Sequence, residues 1–134
     1  TLSDKVFDSR RPPVAFIFYI GQIISLLLLS RAASPAAAAV LIGFNCIWIF
    51  GVHGMLSGTA SMDFGGTRAA ATVTGLLDGV QYIASGLTGF LLGSMLDKFG
   101  WGAWTFMIMP FSAVGAVLML TLWNARPAPK KAAT

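Results

Sequence analysis

Charge is scarce in this chain. Of 134 residues only 10% are charged, nine basic and five acidic, while 56% are hydrophobic. A soluble domain carries about 25% charged residues and needs a polar surface around its core. This sequence cannot build one, so a water-soluble fold is excluded. Cysteine and histidine are as scarce, with one of each, Cys46 and His53. One cysteine cannot close an internal disulfide, and it reads as a small buried residue. No Ser-His-Asp set, metal-ligand cluster or phosphate loop can be assembled. Enzymatic chemistry, a bound metal and a cofactor are therefore not expected. Strict apolar–polar alternation over about ten residues, the mark of a membrane barrel, is also missing.

The charges that exist sit in patches: Asp4 to Arg11, Asp63 to Arg68, Asp97 and Lys98, and Arg126 to Lys131. Between them run long uncharged stretches. A helix needs roughly 20 apolar residues to cross a bilayer core of about 30 Å. Four spans are expected: 14–30, 36–59, 69–95 and 103–123, the third holding one charge, Asp78. The class is all-α integral membrane. Residues 1–13 read as a loop and 124–134 as a basic tail. If the chain alternates sides, Lys5, Arg10, Arg11, Arg68, Arg126, Lys130 and Lys131 share one side, against Arg31 and Lys98 on the other. The positive-inside bias assigns the first side, with both termini, to the cytoplasm. The expected location is a cell membrane, inner or plasma. Nucleic-acid binding is not expected, because no basic stripe or aromatic platform accompanies these charges. The start "TLSDKVF" is loop-like and lacks an initiator methionine, and it reads as a piece of a longer protein.

Local signals fill in the helices. Pro12 and Pro13 suit a helix's first turn. Ser34 can cap the second helix with Pro35 at its first position, leaving a short antiparallel connection. Gly65 and Gly66 in "ASMDFGGTR" suggest a loop before the third helix. Trp101 and Trp104 at one end of the fourth helix and Trp123 at the other mark two interfaces.

The third helix is the informative one. Thr74, Asp78, Gln81, Ser85 and Thr88 are spaced 4, 3, 4, 3, which makes one polar stripe. Beside it Gly75, Gly79, Gly86 and Gly93 form a small-residue face suited to close helix packing in lipid. An ionisable side chain inside a span marks a functional position by default, because a bare charge there is costly. Asp78 is thus a candidate for a substrate pathway or gate, with Gln81 and Tyr82 beside it; the alternative is a paired or protonated acid that locks helix packing. Asn45 and His53, about 80° apart on the second helix, are further pathway candidates. The alternative for His53 is a hydrogen-bonded histidine without a transport role.

The opening loop carries a resemblance. "SDKVFDSRR" before a helix is similar to the cytoplasmic loop motif of the major facilitator superfamily, roughly Gly-x-x-x-Asp-Arg/Lys-x-x-x-Arg/Lys-Arg/Lys, matched by Asp4, Lys5, Arg10 and Arg11. The stretch "MDFGGTRAAATVTGLLDGVQYIASGLTGFLLGSMLDKFGW" resembles the organophosphate:phosphate antiporters, the group of glycerol-3-phosphate and sugar-phosphate transporters. Its matching elements are Asp63 to Gly66, Arg68, Thr72 to Gly75, and Gly93, Asp97, Gly100 and Trp101.

The resemblance implies helices nine to twelve of a twelve-helix fold working by alternating access. It implies a gating latch at Asp4, Lys5, Arg10 and Arg11. The partners would be a small-molecule, possibly phosphorylated, substrate, the lipid bilayer and the preceding helices of the same chain. The family's phosphate-binding arginines belong to its first and seventh helices, so no arginine here takes that role. The implied function is exchange of an organophosphate for phosphate. Proton-coupled transport of another solute and a transporter-like membrane sensor are the alternatives.

Overall fold

The computed structural model describes residues 10–125, and these are helical almost throughout. Helix α1 runs Pro12–Leu29 and α2 Pro35–His53; α2 continues through a π-helical stretch, Gly54–Ala60, into α3, Ser61–Phe99. A 3₁₀ turn, Trp101–Ala103, leads to α4, Trp104–Thr121. Four stretches are long and apolar enough to cross a membrane: Pro12–Leu29, Pro35–Asp63, Ala69–Phe99 and Trp101–Thr121. The fold is all-α, as expected. Asp4, Lys5 and the basic residues 126, 130 and 131 lie outside the described residues.

The helix ends follow local chemistry. Two prolines open α1, where a missing N–H costs nothing,. Ser34 is extended, and its hydroxyl accepts the Ala37 N–H at 3.2 Å, capping α2 with Pro35 in the first turn,. Gly100 ends α3 at φ 75°, the left-handed region that a side chain disfavours, while its N–H reaches the Leu96 carbonyl at 2.8 Å,.

The connection from α2 to α3 differs from the expected open loop. Helical hydrogen bonding continues through residues 61–70. Yet Thr74 Oγ1 lies 2.8 Å from Ser61 Oγ. Thirteen residues of straight helix would separate them by about 20 Å. The chain therefore reverses between those two residues within a helical backbone, and the two hydroxyls tie the reversal together.

Packing centres on α1, which lies against both α2 and α4. Its side chains Val14, Ala15, Ser25 and Leu26 are buried, Leu26 completely. Without a hydrophobic drive between helices in lipid, close contact must come from shape, and glycine supplies it. A Cβ at Gly21 would fall 2.7 Å from the Trp48 ring, one at Gly51 2.8 Å from Phe18, and one at Gly115 2.5 Å from Tyr19. Phe16 meets Trp123 edge-on, with ring centres 5.8 Å apart. Helix α3 is different. It touches the π stretch at one end and the 3₁₀ turn and α4 at the other, and Leu76, Val80, Ile83, Leu87 and Phe90 are exposed along its length.

Candidate functional site

Between the middle of α1, the C-terminal end of α2 and the middle of α3 the side chains do not meet. They enclose a cleft of about 430 Å³ lined by Tyr19, Gln22, Ile49, Phe50, Val52, His53, Gln81 and Tyr82. A second hollow of about 270 Å³ extends it along α3, lined by His53, Gln81, Tyr82 and Ser85. Gln22 is ten residues into α1, or about 15 Å along a helix of about 27 Å, so the cleft lies at mid-depth. Its volume falls in the range of small-molecule sites, about 300–1,000 Å³. The lining mixes aromatic and aliphatic walls with phenol, amide and imidazole groups. It includes no lysine, arginine or acid.

Three sequence candidates, His53, Gln81 and Tyr82, thus come together from two helices. Tyr82 is 79% exposed and stands at the cleft's open edge. Asn45 lies elsewhere. It is 4% exposed, and its Oδ1 accepts the Ser25 hydroxyl at 2.8 Å, joining α1 to α2. Asp78 does not line either hollow. It stands on the face of α3 between Thr74 and Gln81, partly covered. One carboxyl oxygen, Oδ1, is fully shielded and has no hydrogen-bond partner among the described residues.

That face of α3 rests on the π stretch. A π turn breaks the regular i to i+4 ladder, and side-chain hydroxyls take up the carbonyls there. Ser61 Oγ lies 2.5 Å from the Ser57 carbonyl and 2.8 Å from that of Gly58. Thr74 Oγ1 lies 3.2 Å from the same Ser57 carbonyl. Ser57 Oγ donates to Gln81 Oε1 at 3.4 Å. Thr74 and Gln81 are seven residues apart, within about 20° of the same face. The polar stripe therefore meets protein at Thr74 and a cleft at Gln81.

At the start of α3 a residue of the loop motif meets Asp63. Arg11 Nε donates to Asp63 Oδ2 at 2.9 Å, with both side chains about four-fifths covered. The glycines of α3 meet nothing: a Cβ at Gly75, Gly79, Gly86 or Gly93 would have no atom within 4 Å among the described residues. Residue spacing did not single out Tyr19, Gln22, Ser57 or Ser61 as site residues. The signal available was their polarity inside apolar runs, with Ser57 and Ser61 one helical turn apart.

Against known proteins, the chain is 31% identical to a glycerol-3-phosphate transporter of Bacillus subtilis over 129 residues. It is 30% identical to the membrane sensor protein UhpC of Escherichia coli, again over 129 residues. Each alignment covers 92% of this chain and 28% of the relative. Over 116 residues it is 30% identical to sugar phosphate exchanger 3 of Homo sapiens, covering 79% of this chain and 23% of that protein. The chain thus spans about a quarter of the length of these relatives. No family model and no solved structure matches it.

Proposed function

We propose, for a chain that belongs to the organophosphate:phosphate antiporter family of the major facilitator superfamily, that it forms one wall of a pathway exchanging an organophosphate for inorganic phosphate. The observation that carries this reading is the mid-depth cleft, in which His53, Gln81 and Tyr82 face Tyr19 and Gln22. Phenol, amide and imidazole groups all offer N–H or O–H donors, which suits phosphate oxygens. They carry no fixed positive charge, so the charge that balances the phosphate comes from helices outside this segment. On this reading α2 and α3 carry the pathway together with Tyr19 and Gln22 of α1, and α4 supports them. The exposed length of α3 with its polar stripe faces the other half of the transporter. Arg11 and Asp63 form part of a latch on the cytoplasmic side that holds one access state, as a charge-assisted contact can when it is made in only one of two states.

The test is labelled-phosphate uptake by proteoliposomes holding the full-length protein and loaded with phosphate, glycerol-3-phosphate or a hexose phosphate. Exchange that needs a phosphorylated counter-substrate inside is expected. No exchange with any of them would refute the reading.

The sensor UhpC among the relatives supports a second reading, in which solute binds in the cleft and the signal passes to a partner. A ligand-induced change in the protein without net flux would select it.

A further inference from the structure

We propose that a separate hollow, at the end of the segment away from Arg11 and Asp63, binds an anionic glycerophospholipid. It holds about 220 Å³ and shares no residue with the cleft. Leu29 and Ser30 of α1 and Ile42 of α2 form one side; Trp101 and Gly102 of the 3₁₀ turn and Trp104 and Thr105 of α4 form the other. Ser30 closes α1 and Trp101 precedes α4, so the mouth lies where the chain leaves the hydrocarbon. Ile42 is seven residues into α2, about 10 Å deeper. The interfacial layer on each side of a bilayer is about 5–8 Å thick. The hollow therefore runs from that layer into the hydrocarbon.

Its chemistry is graded along the same line. Leu29 and Ile42 give an apolar wall, while two indoles and two hydroxyls line the rest. An indole N–H at an interface seeks an acceptor, and a lipid ester carbonyl supplies one. Thr105 is 5% exposed, and its Oγ1 has no hydrogen-bond partner among the described residues. A buried hydroxyl left so is costly. Threonine in a helix divides between two χ1 rotamers, so an acceptor entering the hollow can draw that hydroxyl to it. Ser30 Oγ already donates to the Leu27 carbonyl at 2.7 Å. Arg31 follows Ser30 and is exposed, without an ion pair among the described residues. A guanidinium at the headgroup layer pairs with a phosphate in a two-pronged contact. The other charges at this end, Asp97 and Lys98, offset each other. One water's share of liquid is about 30 Å³, so the hollow equals about seven waters. That holds the glycerol ester and the first carbons of one chain, with the rest of the lipid lying outside.

The experiment is mass spectrometry of the intact full-length protein released from detergent, titrated with phosphatidylglycerol or phosphatidylcholine. The parent is compared with Arg31→Gln, Thr105→Val and Gly102→Leu. A Cβ at Gly102 would meet no atom within 4 Å among the described residues, so a leucine there fills the hollow without a clash. The parent is expected to hold its first phosphatidylglycerol more tightly than phosphatidylcholine. Arg31→Gln should weaken that first binding about tenfold, the size of a charge-assisted hydrogen bond, and Thr105→Val about fivefold. Gly102→Leu should abolish it, with melting in lipid-free detergent as in the parent. Unchanged binding in Arg31→Gln or in Gly102→Leu overturns the inference. So does displacement of the lipid by inorganic phosphate, which marks a site for a free anion. A parent without preference for phosphatidylglycerol overturns it too, and leaves the hollow to a helix outside this segment. No transport is measured, so the outcome is independent of the antiport reading.

Discussion

Gly115 on α4 faces Tyr19 on α1, and the pair offers a test of the packing that does not require a substrate. An alanine Cβ at position 115 would sit 2.5 Å from Tyr19 Cε1 and Cζ. Carbon atoms in contact rest at about 3.5–4.0 Å, so at least about 1 Å must be found. The helix backbone around Gly115 is buried, and Tyr19 is hemmed in on that side. Two relaxations remain: α1 and α4 separate, or the phenol swings toward the cleft it lines. Overpacking of this kind costs about 1–3 kcal/mol. Gly115→Ala in the full-length protein is therefore expected to lower the thermal unfolding midpoint of the detergent-purified protein. Tyr19→Ala should lower it as well, by leaving a void. The double variant should be more stable than the sum of the two losses, because the methyl group then fills part of that void and nothing collides. A Gly115→Ala protein as stable as its parent, or strictly additive losses, would refute the close approach of α1 and α4.

Three further outcomes follow from the same contacts. Asp63→Asn removes the acceptor of the Arg11 guanidinium; for a pair about one-fifth exposed the loss is about 1 kcal/mol. That shifts the ratio of access states about fivefold, read as altered alkylation of a cysteine placed at Ser85, and exchanging the two charges, Arg11→Asp with Asp63→Arg, should restore it. Asn45→Ala breaks the bond to Ser25 between α1 and α2 and should cost about 0.6–1.7 kcal/mol of stability while KM for phosphate stays unchanged; a raised KM would place Asn45 in the pathway after all. Gly79→Leu meets no atom within the described residues, so it should destabilise the full-length protein through a helix beyond this segment, and a parental melting curve would show that this face is turned to lipid.

That the chain holds four membrane-length helices was legible in the sequence because it follows from one-dimensional properties. Uncharged length sets a span, and Ser34 with Pro35 sets a helix start whatever packs around it. The polar stripe of α3 was also legible, since a 4, 3 spacing defines a face without reference to neighbours. What each face meets was not. Gly75, Gly79, Gly86 and Gly93 have the better small-residue pattern, yet among the described residues the close approaches occur at Gly21, Gly51 and Gly115. A glycine's worth depends on the ring that arrives opposite it, and that ring belongs to another helix. Asn45 and His53 looked equivalent on α2, one turning out buried against Ser25 and the other exposed at the cleft. The π stretch had no signature beyond two glycines and one serine. The connection between Ser61 and Thr74 was expected as an open loop, because Gly65 and Gly66 are ordinary turn residues; helical backbone continues there instead, with the Ser61 and Thr74 hydroxyls 2.8 Å apart.

The tie between Ser61 and Thr74 also bears on how the chain enters a membrane. Helix α3 has a mean hydropathy of 1.2 over its most apolar window, against 1.8 to 2.0 for the other three spans. It carries Asp78 as well, and an aspartate near the centre of a helix adds about 2.5–3.5 kcal/mol to the cost of insertion. Alone, such a segment is a poor candidate for release from the insertion machinery into lipid. Thr74 Oγ1 lies 3.2 Å from the Ser57 carbonyl of the π stretch, a contact that would let α3 enter as the second limb of a hairpin carried in by the strongly apolar first limb. Ser57 would then act during biosynthesis as well as in the folded protein.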